Sequence, residues 1–142
     1  MGLLDDYNSG IGSPRPKWQH QRAMNKMAHR AYDELDHRGL EILSEATVTD
    51  DWDDLAPDLV IFNSYNIPVS IIEITTHRML RPIIDKCYEL IPRFPEAEYF
   101  VYDYESEILY KYDALHDLWL SSQEYNLRSQ FLKKPVLDYL KF

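Results

Sequence analysis

The first 15 residues carry Gly2, Gly10, Gly12, Pro14 and two Asp without an apolar period, the profile of a flexible lead-in to one domain over 16–142. From Trp18 the pattern changes. Met24, Met27, Ala28, Ala31 and Leu35 recur at three- and four-residue steps, which predicts an amphipathic helix ending at Gly39, with Arg22, Lys26 and Arg30 one turn apart on its opposite face. Apolar runs then occupy 40–48, 59–62 and 69–74, each bounded by turn residues, and each reads as a strand. Asn63-Ser-Tyr-Asn66 between the second and third predicts a hairpin. A second helical pattern runs through Met79/Leu80, Ile83/Ile84, Cys87 and Leu90/Ile91 and ends near Pro92. The aromatic-rich runs 99–102 and 108–112 supply two more strands around a turn at 103–106. A less regular, β-containing tail with Trp119 and Val136-Leu-Asp-Tyr-Leu140 closes the chain. The order helix, three strands, helix, two strands predicts a mixed α/β domain rather than a doubly wound one, because three strands arrive without intervening helices.

Composition supports a packed fold and narrows the partners. Of 142 residues 45% are hydrophobic, far from a disordered composition, and no internal repeat is visible. Against 24 Asp and Glu stand 15 Lys and Arg, a net charge of −9 that excludes a polybasic nucleic-acid coat. The first helix is the exception, since residues 15–38 hold six Lys/Arg against three acids. One cysteine, Cys87, cannot close a disulfide within the chain or build a thiolate zinc site; a cytoplasmic protein is expected. No stretch approaches the roughly 18 apolar residues of a membrane span.

Pro57-Asp58 opens the second strand and Glu73 lies inside the third, where a lone carboxylate is costly unless paired, hydrogen-bonded or metal-bound. If the two strands are hairpin neighbours, both carboxylates converge on one point. With waters and the backbone carbonyl of Ile74 they make an acceptable site for Mg²⁺ or Mn²⁺, which would lower the pKa of a bound water and stabilise charge on a phosphodiester. Lys86 or the 75–78 segment would supply a cation, and the competing reading pairs a buried carboxylate with Arg78 or Arg81. His20 is placed to look into the cleft. His77 is a second candidate contact, and Arg22, Lys26 and Arg30 are candidate phosphate contacts.

This spacing of Pro-Asp, hairpin and Glu-x-x resembles the PD-(D/E)XK nucleases, the restriction endonuclease-like superfamily, and within it most the Uma-two type of the Uma family. Ser13-Pro-Arg-Pro-Lys-Trp-Gln-His20-Gln21 is similar to that family's proline stretch followed by His-Gln and a helix. Pro57-Asp58-Leu-Val, Ile72-Glu73-Ile-Thr-Thr76, Asp85-Lys86 and Glu98-Tyr-Phe-Val-Tyr-Asp103 resemble its later segments, as does the stretch from Ser129 to Leu140. The resemblance implies a restriction endonuclease-like core. It also implies a metal-dependent DNA endonuclease, with Asp58 and Glu73 as metal ligands and Lys86 as a catalytic lysine that has migrated to a helix, because Thr75 occupies the superfamily's strand position. Homodimerisation is a further expectation from the resemblance. The alternative is a catalytically inactive relative serving as an interaction module, and RNA or branched DNA remains open as substrate.

Overall fold

The computed structural model describes residues 18–123 and 126–141, so the lead-in and the proline stretch before Trp18 lie outside the described residues. The nine elements are α1 (Trp18–Asp36), β1 (Glu41–Ser44), β2 (Leu59–Phe62), β3 (Pro68–Thr75), α2 (Leu80–Leu90), β4 (Glu98–Asp103), β5 (Ile108–Asp113), β6 (Leu118–Ser122) and α3 (Val136–Leu140). The strands form one six-stranded sheet in chain order. Every neighbouring pair is antiparallel except β3 and β4, which run parallel because α2 carries the chain back between them. The mixed α/β fold is therefore the expected one.

Strand alternation divides the core into two layers. Leu59, Ile61, Ile72, Ile74 and Phe100 meet the stripe Met24, Met27, Ala31 and Leu35 of α1, with α3 packed in the same layer. Val60, Ile71, Tyr99 and Val101 point the other way, onto Cys87 and Leu90 of α2. Glu73 shares the parity of Ile71 and so falls on the α2 face. Gly39 ends the first helical region with φ +72, a left-handed conformation that glycine adopts without steric cost. Asp54 and Arg93 clamp the long β1–β2 connection to the turn after α2 through paired bonds of 2.8 and 2.7 Å.

The tail supplies the β structure expected of it and adds a short helix. Residues 118–122 form a sixth strand, because the Asp113 carboxylate accepts from Leu115 N and Asp117 takes φ +51, which closes a β5–β6 hairpin. Residues 136–140 form a helix, too short to hold by itself and fixed by docking on α1. Arg30 donates to the carbonyls of Asp138 and Lys141, and the Tyr139 hydroxyl donates to Glu34. The first strand is also shorter than the apolar run 40–48. It stops at Ser44, and the chain then leaves the sheet through Glu45 at φ +54.

Candidate functional site

The register Leu59↔Ile72 sets Asp58, one residue before β2, beside Glu73 and Ile74 near the end of β3. Main chain and side chains are interlocked there. Asp58 N donates to Glu73 Oε1 at 3.0 Å, and Ile74 N donates to Asp58 Oδ2 at 2.7 Å. From the α1 side His20 Nε2 reaches the same Asp58 Oδ2 at 3.2 Å. From the α2 side Lys86 Nζ sits 2.8 Å from Glu73 Oε2. Two carboxylates, one histidine and one lysine thus meet at the carboxyl end of β3, between the helical layers. Lys86 is the partner of Glu73, in place of the Arg78 or Arg81 pairing that the sequence left open.

Burial governs the electrostatics. Glu73 is 1% exposed. Burial and then the neighbouring Asp58 charge raise its pKa to about 7, with Lys86 pulling the other way. Burial also works against ionised Asp58, but the His20 bond and charge and the Ile74 amide outweigh it and hold the carboxyl below its usual range. His20 responds in kind: burial lowers it, yet the bond to Asp58, the Asp58 charge, the Ile74 backbone and the Glu73 charge leave it raised. Cys87 lies nearby as a buried thiol pushed up to about 12, first by burial and then by Glu73, and so has no thiolate character at neutral pH.

The donor set suits a hard cation that takes few protein ligands. His20 Nδ1 is buried without a hydrogen-bond partner among the described residues, and Glu73, whose charge is disfavoured first by burial and then by the neighbouring Asp58, has Lys86 as its counter-ion at Oε2. Among the described residues no group of three or more His, Cys, Asp or Glu forms a metal cage. A cation held by two carboxylates and one carbonyl would depend on waters to complete its shell, as Mg²⁺ commonly does.

The remaining candidates disperse. The exposed His77 places Nδ1 3.3 Å from Oδ2 of Asp103, at the end of β4 rather than beside Glu73. Asp103 builds the expected turn at 103–106, accepting from Glu105 N, Ser106 N and Ser106 Oγ, and is fully buried. Arg22 lies over the Trp18 ring at 4.5 Å, and Lys26 shares that solvent face of α1. Arg30 is engaged by α3.

No sequence-family profile matches the chain, and no curated protein matches it in sequence. In three dimensions it is similar to a solved structure from Anabaena variabilis, described as a "putative nuclease belonging to DUF820". The TM-score is 0.68 at 15% sequence identity, over 92% of this chain and 87% of that one. A likeness at this identity establishes a shared fold. Among the described residues, no helix is long and apolar enough to cross a membrane.

Proposed function

We propose that the protein is a metal-dependent nuclease hydrolysing DNA phosphodiester bonds. The observation that carries the reading is the convergence of Asp58, Glu73 and Lys86 at the carboxyl end of β3, in a fold shared with a protein described as a nuclease. Asp58, Glu73 and the Ile74 carbonyl would hold Mg²⁺ or Mn²⁺; when bound, such an ion supplies charge neutralisation at the phosphate and acidifies water. Asp58 is kept ionised by His20, so one full negative charge is present at neutral pH. Glu73, with a pKa of about 7, exchanges its proton for a cation at little cost. Lys86, 26% exposed at its side chain, is long enough to leave Glu73 and meet the negative charge that builds on the phosphate as water attacks and the leaving oxygen departs. Arg22 and Lys26 on α1 would contact backbone phosphates, and His77 a neighbouring one.

Thermal unfolding with millimolar Mn²⁺ in low salt tests the site apart from substrate choice. Occupancy at about 100 times the dissociation constant adds about 2.7 kcal/mol, a midpoint rise of about 5–10 °C for a domain of this size. The rise is expected in the wild type and absent in Glu73→Ala. Plasmid cleavage should then need Mg²⁺ or Mn²⁺ and fall at least 100-fold in Lys86→Ala. No metal response in the wild type would move the chain to the inactive interaction module, in which Lys86 and His20 neutralise the two carboxylates permanently.

A further inference from the structure

The acidity of the chain is concentrated at one end of the sheet. Between Gly39 and Thr76 stand eight acids (Glu41, Glu45, four Asp within 50–54, Asp58 and Glu73) and no Lys, Arg or His, almost the whole of the net charge of −9. Three of these acids are answered from outside the segment, Asp54 by Arg93, Asp58 by His20 and Glu73 by Lys86. Among the described residues no cation pairs with Glu41, Glu45 or Asp50.

Those three acids line a groove of about 920 Å³ beside β1, on the α2 face of the sheet, and among the described residues no basic one lines it. Its apolar part is large and open to solvent. Trp52 is 96% exposed and Tyr65 81%, with Leu43 and Ile67 also exposed and Phe62 beneath. Monomeric proteins rarely leave such residues together on one surface without a partner.

The sheet itself ends at this groove, because β1 is its terminal strand. Glu45 N donates to Asp58 O, and hydrogen-bonded pairs alternate in an antiparallel ladder, so Glu41, Leu43 and Glu45 turn their backbone groups toward β2. Ile42 and Ser44 therefore present N–H and C=O to the open side, while the side chains of Glu41, Leu43 and Glu45 stand over the groove. Backbone groups for a seventh strand, an apolar floor and unanswered acids lie together.

We propose that this edge binds an extended, Lys- or Arg-bearing apolar segment of a partner protein, added to β1 as a further strand. Backbone bonds to Ile42 and Ser44 fix its register. Alternate side chains enter between Leu43 and Trp52, and its cations meet Glu41, Glu45 and Asp50. Charge decides against the other occupants. In a two-fold antiparallel pairing of two copies about Leu43, Glu41 would stand opposite Glu45 of the other copy, like charge against like. A nucleic acid would bring phosphates to an uncompensated acidic wall.

A displayed library of random ten-residue peptides, selected on the full chain and counter-selected on Leu43→Arg, tests this without a known partner. Enriched peptides should be basic with alternating apolar positions. Synthesised, they should bind at least tenfold more weakly to Trp52→Ala and to Glu41→Lys, and should perturb the amide resonances of residues 41–45. Trp52 is almost fully exposed, so that variant keeps the fold; its unfolding midpoint and its response to Mn²⁺ should equal the wild type's, which separates this site from the one at Asp58 and Glu73. Absence of enrichment, acidic consensus peptides, or binding indifferent to Trp52 and Glu41 would overturn the proposal. So would a dimer in sedimentation that Leu43→Arg dissociates, since the edge would then serve a second copy.

Discussion

A carboxylate buried in an apolar strand needs company, and Glu73 has the amide of Asp58 and the ammonium of Lys86, set against the like charge of the Asp58 carboxylate. Its pKa, raised from 4.5 to about 7, means that the folded state binds a proton the unfolded chain has released between those values. This contribution to stability is complete below about pH 4.5 and is lost as pH rises through about 7. In metal-free buffer, urea denaturation should therefore show the wild type weakening from pH 5 to pH 8.5. Glu73→Gln should lose most of that slope; the remainder belongs to His20, whose raised pKa works in the same direction. Asp58 works oppositely, its depressed pKa withdrawing stability as pH falls below the usual carboxylate range. Lys86→Met leaves Glu73 without its cation. The loss should be about 3 kcal/mol at pH 8.5 and clearly smaller at pH 5.5, where Glu73 takes up a proton; equal losses at both pH values would show that Lys86 acts by packing alone. Asp58 and Glu73 were legible in the sequence because a charge in an apolar run is costly and demands an explanation. Asp103 is legible as a turn residue, whereas its complete burial is set by the surrounding sheet and not by its neighbours in the chain.

At the scale of elements, periodicity served best where one face is buried and the other wet. Helix α1 covers Trp18–Asp36, where the apolar period runs, and β2 spans 59–62 as expected. The short helix α3 escaped. Four of the five residues of α3 are buried, so no polar stripe marks a period, and a five-residue apolar run reads equally as strand or helix. Its helical form is imposed from α1, where Arg30 satisfies carbonyls at its C-terminal end and Glu34 receives Tyr139. Arg30→Ala should cost about 1–2 kcal/mol and raise hydrogen exchange selectively over residues 136–141. Strand β6 lies in the tail expected to contain β structure, but its bounds are not legible, because as an edge strand it is largely exposed and lacks clean alternation.

For the whole molecule, charge is arranged as an acidic sheet edge at β1 and a basic outer face on α1, and the candidate site lies between them. DNA approaching the proposed site would be attracted by few cations and would meet a net repulsion. If Arg22 and Lys26 are its main phosphate contacts, anisotropy of a labelled duplex in EDTA should give a slope of log affinity against log salt of about −2. A slope steeper than about −4 would place DNA on a different surface. The sequence by itself determined the long amphipathic elements, the hairpin between Asp58 and Glu73 and the placement of both carboxylates, because local periodicity and the cost of burying charge are written into neighbouring residues. Only the tertiary structure decided which cation answers which acid, since His20 and Lys86 arrive from opposite helical layers, 38 and 13 residues away from Asp58 and Glu73 in the chain. Only the sheet order made β1 a terminal strand beside a groove that no cation lines among the described residues, because an edge is defined by which strands pair and not by the sequence of the strand itself.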